Sequence, residues 1–123
     1  MTALLLGGTA EARALSHLAA EAGVPVITSL AGVTREPAAH GGRLRRGGFG
    51  GVEGLSRWLH AEGIVAVVDA THPFAVTMSR NAVAACAEAG VPLLRLERPS
   101  WAGEGRAATT LFDSEAAALA ALP

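Results

Sequence analysis

The chain has 123 residues, 50% of them hydrophobic, a formal net charge of -1 and 17% charged residues. That is enough apolar material for one core and not two, and the charge balance implies no bulk attraction to nucleic acid or an anionic membrane surface. All ten basic residues are Arg, and the absence of Lys and Tyr excludes a P-loop lysine and a Tyr/Lys proton relay.

The first apolar run, 3–6, is short, lacks a basic segment before it and ends in Gly7-Gly8, and no stretch approaches about 18 apolar residues; a soluble, cytoplasmic protein is expected. A strand is expected over 3–6, a helix over 10–22, a strand over 24–28, a helix over 52–62, a strand over 64–69, a helix over 75–89 and a strand over 92–96. A short apolar run at 109–112 follows, and Ser114 is placed to cap a last helical segment through Leu122. Gly23-Val24-Pro25 and Gly90-Val91-Pro92 repeat one helix-stop, strand-start signal. Strand and helix alternate, so the predicted class is α/β: a single domain with a Rossmann-like open parallel sheet flanked by helices. The stretch from Gly41 to Gly51, rich in Gly and Arg, is read as a functional loop, with room for a short third strand at Leu44.

Two strand ends carry the chemistry. In Gly7-Gly8-Thr9-Ala10-Glu11-Ala12 the glycines make a tight turn, Ala12 suits helix packing and Thr9 adds a hydroxyl where a dinucleotide fingerprint has its second glycine. The same residues also read as an ordinary turn, with Thr9 as helix cap and Glu11 favoured by the helix dipole. Asp69-Ala70-Thr71-His72-Pro73-Phe74 ends an apolar strand, where open α/β sheets place ligand groups. There Thr71 offers a hydroxyl, His72 a proton-exchanging ring or merely a turn cap, and Pro73 suits the first turn of the next helix.

Where an NAD-selecting acid is expected stand Thr28-Ser29-Leu30-Ala31-Gly32, with no carboxylate. Arg35 is nearby and Arg43, Arg45 and Arg46 follow, a pattern that tilts toward a 2′-phosphate and hence NADPH, against solvated surface arginines as the plain alternative. Cys86 sits in an Ala-rich helical pattern and reads as a small buried apolar residue. His17, His40 and His60 share no ligand-like spacing, so no metal site is expected.

Taken together these segments resemble the N-terminal part of the precorrin-6A reductase family, NAD(P)H-dependent enzymes of cobalamin (corrin ring) biosynthesis. The resemblance rests on Leu6 to Ala12; Ser29-Leu30-Ala31-Gly32 with Arg35 and Pro37; Gly47-Gly48-Phe49-Gly50-Gly51 with Gly54-Leu55; Asp69 to Ala75 with Ser79 and Asn81-Ala82; and Gly90 to Trp101. It implies hydride transfer from a reduced nicotinamide to the tetrapyrrole precorrin-6A, giving precorrin-6B. It also implies that Gly8-Thr9, the segment from Ser29 to Arg35, the loop from Gly48 to Gly50, and Thr71-His72 line the cofactor site. No catalytic side chain is assigned, and Arg80, Arg95 and Arg98 are candidate partners for substrate carboxylates or members of salt bridges. Family members look about twice as long, so residues 1–123 are expected to be the cofactor-binding half of a two-domain reductase whose C-terminal domain, or a second chain, closes over the substrate. A non-catalytic nucleotide-binding or sensing module is the alternative.

Overall fold

The computed structural model describes residues 1–30, 42–72, 75–96, 110–112, 120 and 122. In chain order its elements are β1 (Thr2–Leu6), α1 (Ala10–Glu21), β2 (Val26–Leu30), β3 (Arg43–Arg46), α2 (Gly51–Ala61), β4 (Ile64–Asp69), α3 (Val76–Ala89), β5 (Leu93–Leu96) and β6 (Thr110–Phe112). The six strands form one sheet in the order β3-β2-β1-β4-β5-β6, and every neighbouring pair is parallel.

The alternation of side chains along β1 divides the core in two. Ala3 and Leu5 face α1, packing with Ala12, Leu15 and Ala19, whereas Leu4 and Leu6 face α2 and α3, packing with Leu55, Leu59, Ala82 and Cys86. With both faces covered, β1 and β4 read as continuous apolar runs, and each fully buried Leu contributes about 1.5–3 kcal/mol. The apolar stripe of α1 follows helical spacing through Ala12, Leu15, Ser16 and Ala19.

The second strand begins two residues later than expected. The Gly23 N–H donates to the Ala20 carbonyl (3.2 Å) and the Val24 N–H to the Ala19 carbonyl (2.9 Å), so Val24 belongs to the closure of α1. The Pro25 carbonyl then accepts from the Ala3 N–H at 3.0 Å, and β2 runs from Val26 to Leu30. The stretch rich in Gly and Arg is likewise more regular than a loop. Arg43–Arg46 pairs with β2 in register (Thr28 with Leu44, Ser29 with Arg45), Gly51 opens α2, and only residues 47–50 connect the two. Pro73 and Phe74, the expected start of the helix after β4, lie outside the described residues, and α3 runs from Val76 to Ala89. Ser114 and its expected helical segment also lie outside the described residues, apart from Ala120 and Leu122.

Cys86 is buried against Leu4, Leu6 and the other residues of that core layer. Burial first, and the Asp69 charge second, push its thiol up to about 11. At pH 8 about one such thiol in a thousand is ionised, against roughly one in four at an ordinary value of about 8.5. A thiol reagent should therefore label the folded chain at least about 100-fold more slowly than the denatured chain. Equal rates would place Cys86 outside the core. Because the unfolded chain releases this proton first, the same raised value makes stability fall as pH climbs from about 8.5 toward about 11.

Candidate functional site

Parallel strands deliver their exits to one edge. There stand Gly7-Gly8-Thr9 after β1, Ser29 and Leu30 at the end of β2, residues 47–50 after β3, and Ala70-Thr71-His72 after β4. Strand order reverses between β1 and β4, which opens the crevice where open α/β sheets bind ligands.

Gly7 extends the β1–β2 ladder by donating its N–H to the Ser29 carbonyl at 2.9 Å. Gly8 has φ of 109°, a left-handed backbone that favours glycine, and a Cβ built there meets nothing within 4 Å. The space above the turn is therefore open, and the N–H groups of the first turn of α1 adjoin it, so the turn suits a pyrophosphate. Thr9 is the N-cap: its hydroxyl accepts from the Ala12 N–H at 3.1 Å and donates to the Ala70 carbonyl at 2.6 Å. The hydroxyl proton is thus committed to Ala70, so Thr9 has no side-chain donor left for a phosphate. Its capping role and the first-turn Glu11 match the plainer reading of those residues.

At the β2–β3 side, Arg45 donates to Ser29 Oγ (3.1 Å), the Gly47 carbonyl (3.1 Å) and the Gly48 carbonyl (3.3 Å). Its guanidinium lies 3.9 Å from the centroid of the Phe49 ring and 5.3 Å from that of Trp58. Phe49 and Trp58 meet edge to face at 5.2 Å. Desolvation by burial lowers the Arg45 pKa, yet a guanidinium stays charged. Arg45 therefore acts as a tether that holds the 47–50 connection, with Gly48 and Gly50, against the end of β2. Arg43 pairs with Glu62 at 3.8 Å on the surface, while Arg46 is exposed at the end of β3.

The exit of β4 is built around a buried charge pair. Arg95 Nη1 lies 2.7 Å from Asp69 Oδ1, and both side chains are 3% exposed. Asp69 also accepts from the Thr71 hydroxyl (2.6 Å) and N–H (3.1 Å) at Oδ1, and from the Ser79 hydroxyl (2.6 Å) at Oδ2. Arg95 in turn donates to Thr71 Oγ1 at 3.2 Å and to the Thr71 carbonyl at 3.3 Å. The Thr71 hydroxyl is consequently engaged within the protein. His72 is exposed, and its carbonyl accepts from the Ala75 N–H at 2.8 Å.

Eight of the residues singled out from the sequence come to this edge: Gly7, Gly8, Thr9, Ser29, Gly48, Gly50, Thr71 and His72. Arg35 and Arg98 lie outside the described residues. Arg95 is buried in the pair with Asp69 and is closed to a substrate carboxylate, whereas Arg80 is exposed on α3. Sequence reasoning missed the Asp69–Arg95 pair as a unit and the tethering role of Arg45. A buried aspartate ending one apolar run and an arginine within the next were the available signal. Among the described residues no group of three His, Cys, Asp or Glu side chains could hold a metal, and no helix is long and apolar enough to cross a membrane.

The family model for Precorrin-6x reductase CbiJ/CobK matches residues 2–122. The precorrin-6A reductase of Mycobacterium tuberculosis (strain CDC 1551 / Oshkosh) is 54% identical over 114 residues, covering 93% of this chain and 46% of the relative. That of Rhodobacter capsulatus is 50% identical over 120 residues, covering 98% and 48%. Among solved structures, CobK precorrin-6A reductase superposes with a TM-score of 0.77 at 48% identity, over 100% of this chain and 49% of that one. The binary complex of leucoanthocyanidin reductase with NADPH from Vitis vinifera shares the fold at a TM-score of 0.64 and 18% identity, over 78% and 35% of the two chains. The chain spans about half the length of the curated relatives it matches. Its sequence, its parallel sheet and its glycine turn agree on one assignment: the chain belongs to the precorrin-6x reductase CbiJ/CobK family.

Proposed function

We propose that this chain is the cofactor-binding half of an NADPH-dependent reductase that converts precorrin-6A to precorrin-6B. The observation that carries the reading is the open glycine turn at Gly8, set at the strand-order reversal of a chain belonging to this family. Bound NADPH supplies a hydride to a double bond of the macrocycle, and the protein contributes position and electrostatics. Gly8 lets the backbone approach the pyrophosphate, beside the positive end of α1, while the lack of a Cβ at Gly7 leaves room for the Thr28 and Leu30 side chains of β2. The missing carboxylate near Ser29 favours the phosphorylated cofactor. Because Arg45 spends donors on Ser29, Gly47 and Gly48, the charge for a 2′-phosphate falls to exposed Arg46 and to Arg35. Thr71 and His72 border the crevice on the β4 side. The substrate, a polycarboxylated tetrapyrrole, lies between this half and a second domain supplied by the remainder of a polypeptide of the relatives' length.

The test is consumption of the reduced nicotinamide in the presence of precorrin-6A. In a polypeptide of the relatives' full length that contains this chain, NADPH should be oxidised with a kcat/KM at least about tenfold above that for NADH, the scale of one charge-assisted contact. The 123-residue chain by itself should turn over far more slowly, because a closing domain excludes water and fixes the reacting carbon. Equal use of NADH would remove the 2′-phosphate assignment. NADPH binding without any oxidation by the full-length polypeptide would leave a nucleotide-binding module instead.

A further inference from the structure

Four successive carbonyls at the end of β4 each accept a hydrogen bond from outside the strand's own ladder. The Asp69 carbonyl accepts from Arg95 Nη1 at 3.5 Å, Ala70 from the Thr9 hydroxyl at 2.6 Å, Thr71 from Arg95 Nη2 at 3.3 Å, and His72 from the Ala75 N–H at 2.8 Å. The N–H groups are engaged as well: that of Ala70 by the Leu6 carbonyl at 3.0 Å and that of Thr71 by Asp69 Oδ1 at 3.1 Å. Every peptide from Asp69 to His72 is thereby oriented. Three of these bonds come from the Asp69–Arg95 pair, and a fourth ties the segment across the crevice to the N-cap of α1.

An ion pair this deeply buried is a poor device for stability alone. Two apolar side chains of similar volume serve as well or better, because desolvation of the charges offsets their attraction. What the pair does that apolar side chains cannot do is give direction to backbone groups. Ser79, on α3 and buried, extends the same control by holding Asp69 Oδ2 at 2.6 Å.

We infer that Asp69, Arg95, Thr71 and Ser79 form a positioning clamp that sets the Ala70-Thr71-His72 backbone against the nicotinamide half of the cofactor. The inference rests on the cofactor reading above. In a sheet whose order reverses between β1 and β4, a dinucleotide lies across the crevice with one half on each side. The glycine turn and the ends of β2 and β3 take the adenosine half, and the β4 exit takes the other. Asp69, Arg95 and Ser79 are all buried and act through the backbone of 70–72, without touching the ligand.

The clamp makes the two halves of the cofactor separable in a binding experiment. NADPH and adenosine 2′,5′-bisphosphate, which lacks the nicotinamide half, are titrated into the wild-type chain and the variants Thr71→Val, Thr71→Ser and Ser79→Ala, with thermal melts confirming that each is folded. Thr71→Val should weaken NADPH about tenfold, the scale of a lost hydrogen bond to a charged group, while adenosine 2′,5′-bisphosphate stays within about twofold of wild type. Thr71→Ser keeps the hydroxyl that bridges Asp69 and Arg95 and should restore NADPH affinity. Ser79→Ala, on a different element, should weaken NADPH about threefold with the same selectivity, and it decides the matter if Thr71→Val does not fold. NADPH affinity unchanged in the folded variants, or equal weakening of both ligands, overturns the clamp and leaves the cofactor reading standing. A wild-type chain that binds neither ligand overturns the cofactor reading, and the clamp with it.

Discussion

Asp69→Ala should cost about 3–5 kcal/mol of folding stability, because it leaves the Arg95 guanidinium buried without its counter-charge. It also strips the Thr71 and Ser79 hydroxyls of the acceptors they meet at 2.6 Å. For a chain of this size the loss corresponds to a fall in melting temperature on the order of 10–20 °C. Replacing both charges, as Asp69→Ala with Arg95→Leu, should cost less than the two single changes added together, since neither charge is then stranded. A single variant that melts within a few degrees of wild type would show that the pair is reached by water.

Gly54→Ala should lower stability by about 2 kcal/mol, although alanine is the better helix former by roughly 1 kcal/mol. A Cβ at Gly54 would overlap the carbonyl group of Phe49, which is backbone and cannot rotate away. The local chain has little room to retreat. The Gly54 N–H already donates to the Gly50 carbonyl at 3.3 Å, and the Phe49 ring packs against both Arg45 and Trp58. The start of α2 must therefore shift away from the 47–50 connection, so NADPH affinity should fall together with the melting temperature. A raised melting temperature, the outcome of helix propensity alone, would mean that this approach is looser than the structure has it.

The buried strands were legible because both faces of a parallel sheet are covered, so β1 and β4 appear as unbroken apolar runs whatever their partners are. β3 was harder. It is an edge strand of three arginines around Leu44, with glycines on either side, and its composition resembles a loop; only pairing with β2 makes it a strand. The start of β2 was obscured by Val24, an apolar residue that serves the helix end before it instead of the strand after it. At the candidate site, the glycine turn and the Thr71-His72 segment were visible as strand ends running into small or hydroxyl residues. What those hydroxyls do was not visible, because Thr9 and Ala70 are 61 residues apart and Thr71 and Arg95 are 24 apart. Such contacts follow from strand order and register, which set Asp69 beside Arg95, and no local pattern encodes them.

Whether the strand-exit edge at β1 and β4 receives a nicotinamide dinucleotide is tested most directly by mapping amide chemical shifts while NADPH is titrated into the isotopically labelled chain. The largest changes should fall on Gly7, Gly8 and Thr9, on residues 47–50, and on Ala70, Thr71 and His72. Changes gathered instead at the opposite edge, around Met1, Gly23 to Pro25 and Val65, or no saturable change anywhere, would contradict it.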